Sequence, residues 1–336
     1  MDTTVSLRTL NTFGIDGTAA ALVALHSEAE LLTALQNPAL PRPFRVLGGG
    51  SNILLTAPVS GTVLHNKMLG KTIVPESENT SLMHCGGGEN WHQTVLYSLQ
   101  QGLSGMENLA LIPGTVGAAP IQNIGAYGVE VKDLIQSVRF VAFADGRVTE
   151  YAAADCAFGY RDSIFKNALR GTGMITQVTF RLFRNAAVNV RYGAIGDELQ
   201  KAGITEPNSQ QVAEAVMRIR QSKLPDPAVT GNAGSFFKNP TLPLAQYEAL
   251  QKTFPELPHY PAGDGRVKIP AGWLIEHSGW KGKIAGRAGV HPFQALVLIN
   301  TGNATGAEIW ALSQQILEDV QQRFGIELER EVQVWP

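Results

Sequence analysis

Phe44-Arg45-Val46-Leu47-Gly48-Gly49-Gly50-Ser51-Asn52-Ile53-Leu54-Leu55 decides what kind of fold this chain adopts. The apolar run Phe44 to Leu47 reads as a strand that feeds a glycine-rich loop. In a Rossmann or Walker unit such a loop opens a helix. Here a second apolar run follows at once, then Pro58, then Gly61-Thr62-Val63-Leu64. That is loop followed by strands, and no lysine fills the Walker position. The triplet is a poor match for a classical dinucleotide fold. Its successive backbone N–H groups can still form an anion-binding nest.

Outward from this loop the chain alternates short helices with β-type runs. Ser27 to Gln36 reads as a helix with a capping box between Ser27 and Glu30. Asn90 caps a second helix with Trp91, Val95, Leu96 and Leu99 on one side, stopped at Gly102. Runs 138–143 and 147–151, joined by Ala144-Asp145-Gly146, form a hairpin, and 174–183 is a further strand. Residues 184–208 are a polar connection. A helix then covers about 209–221, with Val212, Val216 and Ile219 inward, and Lys223-Leu224-Pro225-Asp226-Pro227 ends it. A last helix opens with the capping box Thr305/Glu308 and buries Ile309, Leu312, Ile316 and Val320. A strand over 326–334 closes the chain, with Leu328, Val332 and Val334 on its inner face and Glu329 and Glu331 together on the other.

The chain has 336 residues, enough for about two domains of ~150 residues. It is 44% hydrophobic with a net charge of −2, which disfavours nucleic acid or an anionic membrane surface as partner. Two cysteines, Cys85 and Cys156, are too few for a disulfide scaffold and lack the spacing of a metal site. No basic stretch precedes an apolar run at the N-terminus, and no apolar run approaches the ~20 residues of a membrane span. A cytoplasmic protein is expected. Thirty-five glycines, clustered, suit loops that approach a large cofactor closely.

Three further segments carry chemistry. Ile112-Pro113-Gly114-Thr115-Val116-Gly117-Ala118-Ala119-Pro120, followed by Gln122-Asn123-Ile124-Gly125-Ala126-Tyr127-Gly128, is a rigid surface that could lie against a flat ring, or else a tight β-corner. In Phe158-Gly159-Tyr160-Arg161-Asp162-Ser163 the arginine could stabilise a developing oxyanion, or pair with Asp162 at the surface. Gly234-Ser235-Phe236-Phe237-Lys238-Asn239-Pro240 suits a hydroxyl in a dry pocket beside a charged substrate. It equally suits a turn with both phenylalanines in the core.

Taken in order, the 48–52 loop, 112–128, 158–163 and 234–240 resemble the UDP-N-acetylenolpyruvoylglucosamine reductase family. The resemblance runs from Asn11-Thr12-Phe13-Gly14-Ile15 to Leu328-Glu329-Arg330-Glu331-Val332. Arg330 stands where many relatives place proline, a departure expected to leave function almost untouched. The resemblance implies an α+β fold: a two-lobed FAD-binding domain of the vanillyl-alcohol oxidase type plus a smaller α+β substrate-binding domain. The expected bounds are 1–208 with lobes meeting near residue 60, 209–323, and a strand over 324–336 returning to the active site.

The resemblance further implies non-covalent FAD held by Gly48, Gly49, Gly50, Ser51, Asn52, Pro113, Gly114, Ile121 and Gly125. It implies NADPH as hydride donor and UDP-N-acetylglucosamine enolpyruvate as the substrate reduced, for peptidoglycan precursor synthesis. Tyr160, Tyr192, Lys223, Asn239 and Gln294 match substrate-binding positions, with Tyr192 on the inserted loop 190–194. Arg161 and Glu331 match the pair that polarises the enolpyruvyl carboxylate, which asks for a proton on or shared with Glu331. Ser235 matches the proton donor. No metal is expected. The alternatives are a flavin-dependent sugar or alcohol oxidase of the same fold and a non-catalytic sugar-nucleotide sensor. Covalent flavin attachment at 44–60 or 107–130 is excluded, because neither stretch contains His or Cys.

Overall fold

The computed structural model describes residues 4–184 and 186–336. Residues 1–3, part of the N-terminus read above for a signal peptide, and residue 185 of the polar connection lie outside the described residues. The chain divides into two compact units, each assembled from separate stretches of sequence. The first comprises residues up to Val5, Ala19–Gly50 and Ser60–Ser222; the second comprises Ser6–Thr18, Ser51–Val59 and Lys223–Pro336. The helices are α1 (Glu28–Gln36), α2 (Trp91–Gln100), α3 (Gly193–Lys201), α4 (Ser209–Lys223), α5 (Leu244–Thr253), α6 (Ala271–His277) and α7 (Gly306–Phe324). Among the described residues no helix is long and apolar enough to cross a membrane.

The first unit contains a five-stranded antiparallel sheet. Its order is Val148–Ala152, Ile135–Ala142, Gly173–Phe183, Thr80–Gly86, Lys71–Pro75. The expected hairpin is its edge, with Val141 opposite Val148. The helix α2 packs on this sheet because Trp91, Thr94, Val95 and Ser98 recur at helical spacing on one buried face. Trp91 meets Phe180 edge to face at 5.8 Å and donates its indole N–H to Leu109 O at 2.9 Å, so its polar atom is satisfied in the core. A second, parallel pairing sets Phe44–Leu47 beside Val59–Asn66, with Leu47 opposite His65. The glycine loop leaves directly from that strand end.

The second unit holds an antiparallel sheet ordered Gly231–Ser235, Val297–Asn300, Ala288–Val290, Ile284–Ala285. The N-terminal segment is stitched to it: Asn232 N donates to Thr12 O at 3.0 Å and Asn300 Nδ2 to Phe13 O at 2.9 Å. The helix α7 starts at the expected capping box. Thr305 accepts from Glu308 N, and the Glu308 carboxylate accepts from Thr305 N. It ends at Gly325, whose φ of +65° is the left-handed stop a glycine supplies. Ile309, Leu312, Ile316 and Val320 are all buried.

Several expectations require correction. The helix α4 does not open the second unit. Its buried residues Val212, Ala213, Ala215, Val216 and Ile219 join the first unit's core with Trp91 and Phe180. The stretch read as a polar connection contains α3, whose buried Ile195 and Leu199 lie one turn apart. Gly193 and Gly196 hide that helix, because glycine is a poor helix former. In α2 Leu96 and Leu99 are only half-buried, and Thr94 and Ser98 share the buried face with Trp91 and Val95. At α1 Ser27 caps Glu30 N as expected, but Glu30 reaches back to His26 N instead of the cap. The closing strand is only Gln333–Trp335, parallel to Ile53–Leu55. Residues 326–332 alternate in burial as an extended chain does, with Ile326, Leu328 and Val332 inside. Trp335, not Val334, is the buried residue at the end.

Candidate active site

In the first unit the two glycine-rich stretches meet. A Cβ built on Gly49 would lie 3.1 Å from Gly114 Cα, and one on Gly48 would lie 2.4 Å from Thr115 Oγ1. Close backbone approach therefore favours glycine at 49, since any side chain would have to push the Gly114 backbone away. Gly114 itself has φ +113°, which disfavours any side chain. The second stretch is anchored at the start of α2: Trp91 N donates to Gly114 O at 3.1 Å and Val116 N to Glu89 O at 2.9 Å. His65 backs the first loop through a hydrogen bond to the Gly48 backbone, and burial holds its imidazole below the usual range, hence neutral.

Arg161 belongs to this unit and is built into its backbone. It adopts φ +54°, and its Nη2 donates to Gly125 O at 2.9 Å. Its guanidinium lies 5.7 Å from the Tyr160 ring. The neighbouring loops are cross-linked. Buried Asn123 donates to Gly159 O at 2.8 Å and accepts from Lys132 N at 3.0 Å, while Ser163 Oγ donates to Ile121 O at 2.6 Å. Thus Ile121, Gly125, Tyr160 and Arg161 are brought together, and Pro113 precedes the Gly114 contact. Leu111, Asn123, Tyr127 and Arg161 all have positive φ. Strain of this kind persists where the surroundings over-determine it, commonly at functional sites.

Tyr192 is the N-cap residue of α3, and its ring meets Tyr127 edge to face at 5.2 Å. Asn108 Nδ2 ties the same loop down, donating to Asn189 O at 2.9 Å and Tyr127 O at 3.2 Å. Arg220, on α4, donates to the Tyr127 hydroxyl and to Leu111 O at 3.2 Å. Burial pushes the Arg220 guanidinium down and the Tyr127 phenol up.

In the second unit Ser235 ends the strand Gly231–Ser235. A register shift separates Asn232 from Ser235, and Gly234 carries φ +69°. This is a glycine bulge that re-aims the serine. Phe236 and Phe237 are fully buried core residues. Residues 236–238 run beside the C-terminal segment: Glu331 N donates to Phe236 O and Lys238 N to Glu329 O, both at 2.8 Å. Glu331 therefore sits on the rung next to Ser235. The two glutamates are separated by their partners. Lys238 Nζ pairs with Glu329, whose side chain is 69% exposed, whereas Glu331 is half-buried. Asn52, in the same unit, donates to Glu331 O at 3.4 Å and accepts from Gln333 N at 3.1 Å; Ser51 precedes it. Asn239 Oδ1 caps α6 through Ala271 N at 2.9 Å, and Gln294 Oε1 accepts from Leu296 N at 3.3 Å and lies 3.3 Å from a Cβ built on Gly272. Lys223, exposed, is the last residue of α4.

Comparison with known proteins decides the family. The family model of the UDP-N-acetylenolpyruvoylglucosamine reductase C-terminal domain matches residues 226–335, and that of an FAD-binding domain matches 19–152. UDP-N-acetylenolpyruvoylglucosamine reductases of Paraburkholderia phymatum and Chromobacterium violaceum are 48% and 49% identical to the chain. Each alignment covers 97% of this chain, and 95% and 96% of the respective relative. The chain belongs to the UDP-N-acetylenolpyruvoylglucosamine reductase family. The crystal structure of the Thermus caldophilus UDP-N-acetylenolpyruvylglucosamine reductase superposes over 99% of this chain and 98% of its own, with a TM-score of 0.67 at 25% identity.

For a UDP-N-acetylenolpyruvoylglucosamine reductase the cofactor to be fitted is FAD. The residues suit it: the FAD-binding match spans both glycine stretches, and the Gly49–Gly114 approach brings together two loops without side chains at those positions, whose backbone N–H groups could serve an anion. His65, Asn108, Tyr127 and Arg220 support this half of the site and were not singled out from sequence. Of the four only Tyr127 has a positive φ, and the contacts of the others are made with residues distant in sequence, so no local pattern marks them.

Proposed function

We propose that this chain reduces UDP-N-acetylglucosamine enolpyruvate to UDP-N-acetylmuramate, in the cytoplasm, for peptidoglycan precursor synthesis. The observation that carries the reading is the Gly48–Gly50 and Gly114 backbone cradle, present in a chain that matches reductases of this name over 97% of its length. FAD, when bound non-covalently, supplies the hydride-carrier chemistry between NADPH and the vinyl carbon of the substrate.

The chain's own residues do the rest. Gly48, Gly49, Gly50, Ser51, Asn52, Pro113, Gly114, Ile121 and Gly125 hold the cofactor in this reading. Arg161, its guanidinium fixed by the Gly125 carbonyl, offers a preorganised cation for the substrate carboxylate as charge develops beside it. Ser235, half-buried just after the bulge and before the buried phenylalanines, donates the proton. Glu331 acts with Arg161 on the carboxylate. Glu329, engaged with Lys238, is the weaker candidate. Tyr160, Tyr192, Lys223, Asn239 and Gln294 bind the sugar nucleotide. In this reading most of the cofactor residues come from the first unit, with Ser51 and Asn52 from the second; Lys223, Asn239 and Gln294 of the second unit and Tyr160 and Tyr192 of the first take the substrate, and Glu331 comes from the C-terminal segment.

Spectroscopy of the yellow protein tests the reading. Acid precipitation should release free FAD. Anaerobic NADPH should bleach the flavin, and UDP-N-acetylglucosamine enolpyruvate should restore the colour. Recovery with oxygen alone, and none with the enolpyruvyl sugar nucleotide, would overturn it.

A further inference from the structure

Arg330, a departure that the sequence alone marks as nearly neutral, lies between the two glutamates of the C-terminal segment, and its guanidinium is held by α7. Its guanidinium stacks 3.7 Å from the centroid of the Trp310 ring. Its Nε donates to Ser313 Oγ at 2.8 Å and its Nη2 to Gln314 Oε1 at 2.9 Å. Trp310, Ser313 and Gln314 are spaced i, i+3, i+4, so they present one face of α7 to one planar side chain. The Ser313 hydroxyl donates to Trp310 O at 2.7 Å, which leaves its lone pair for Arg330.

The reach of the chain explains why this contact matters. From Gly325 the backbone turns back along α7. Ser313 is about 18 Å back along the helix axis at ~1.5 Å per residue. From Gly325 to Arg330 an extended chain covers about 17 Å at ~3.3 Å per residue. The extended segment together with the Arg330 side chain spans that distance, and Ile326 and Leu328 are buried along the way. Arg330 fastens its far end. On either side of that fastening, Lys238 N donates to Glu329 O and Glu331 N to Phe236 O. A shift of residue 330 along α7 would carry residue 331 with it, past Phe236 and the adjoining Ser235.

We infer that Arg330 is a positioning residue: clamped on the Trp310–Ser313–Gln314 face of α7, it fixes the axial position of Glu331 relative to Ser235. The inference rests on the reading of Glu331 as the carboxylate that acts on the substrate. Arg330 touches neither substrate nor cofactor in this account. Its effect should appear in the rate of the step and little in substrate affinity, because a misplacement on the order of 1 Å can cost up to ~10²-fold.

The test is single-turnover reoxidation of NADPH-reduced holoenzyme by UDP-N-acetylglucosamine enolpyruvate in Arg330→Ala, Arg330→Lys, Glu331→Gln and the double variant Arg330→Ala/Glu331→Gln. FAD content and Tm are recorded for each. Arg330→Ala should reoxidise about 10-fold more slowly with KM within about twofold, and flavin reduction by NADPH should be unchanged. Arg330→Lys keeps the charge but loses the fork and the stack, so it should fall between wild type and alanine. In the Glu331→Gln background Arg330→Ala should add less than about twofold, since residues acting through one another are not additive. Full additivity, or an Arg330→Lys variant with normal Tm and wild-type rate beside a slow Glu331→Gln, would sink the positioning role. A wild-type rate in Glu331→Gln would instead sink the reading of Glu331 on which it rests.

Discussion

Replacing Gly49 with valine should weaken FAD binding by an amount that follows from the loop contact. A Cβ at 49 would stand 3.1 Å from Gly114 Cα, 3.5 Å from its carbonyl carbon and 3.7 Å from its nitrogen. All three are backbone atoms, so no flexible side chain can swing away. Alanine asks the two loops to part by a few tenths of an ångström. Valine adds two methyl groups in the same direction. Overpacking of this kind costs about 1–3 kcal/mol. If the strain falls on the cofactor-bound state, that corresponds to roughly a 5- to 150-fold rise in the Kd for FAD. The assay is titration of FAD into apoprotein, followed by flavin fluorescence, for Gly49→Ala, Gly49→Val and Gly196→Ala. Gly196 sits in α3 with nothing within 4 Å of its Cβ position, so its replacement should leave FAD affinity alone. A folded Gly49→Val protein whose Kd stays within twofold of wild type would refute the assignment of this loop to the cofactor.

Ser235→Ala should separate the two halves of the reaction: bleaching by NADPH persists, while reoxidation by the enolpyruvyl substrate slows by ~10²–10⁴-fold. Stopped-flow absorbance reads both phases, and near-normal reoxidation would remove Ser235 as the proton donor. The cap of α7 should confer a pH dependence on stability. Hydrogen bonds from the Thr305 backbone, from Arg287 and from the Thr305 hydroxyl hold the Glu308 carboxyl at about 2, against an ordinary 4.5. Because the folded-state value is depressed, its stabilisation is complete above the ordinary value and is lost as the pH falls toward about 2. Glu308→Gln should therefore lower Tm at neutral pH, with the gap to wild type closing below about pH 4.5. A gap that stays constant across that range would show that the charge is not what matters.

Features fixed by neighbours in sequence were legible, and features fixed by distant partners were not. The Thr305/Glu308 box, the Asn90 cap, the hairpin read over 138–151 and the strand-to-loop character of 44–55 are all local, and each is present. The apolar stripe of α4 announced a buried face but could not say which core would receive it. The alternation read over 326–334 reported burial correctly as far as Val332 and failed at Val334, where Trp335 is the buried residue. It could not report that, among the described residues, this stretch meets a ladder partner at the single bridge between Phe237 and Arg330. Likewise Glu329 and Glu331 are equivalent by periodicity. What distinguishes them is Lys238, nearly a hundred positions earlier in the chain, |i−j| 91 from Glu329. The roles given to Arg161, Ser235 and Glu331 came from resemblance to a family, because no spacing rule links residues drawn from such separate stretches.

The second unit borrows two early stretches of chain and completes itself with the last one. Ile53–Leu55, almost entirely buried when folded, has Gln333–Trp335 as its strand partner, and Thr56 bonds to Trp335 across 279 positions. On a ribosome adding ~5–20 residues per second, three consecutive apolar residues would wait on the order of tens of seconds for that partner. The nascent chain thus carries an unpaired sticky edge through most of its synthesis.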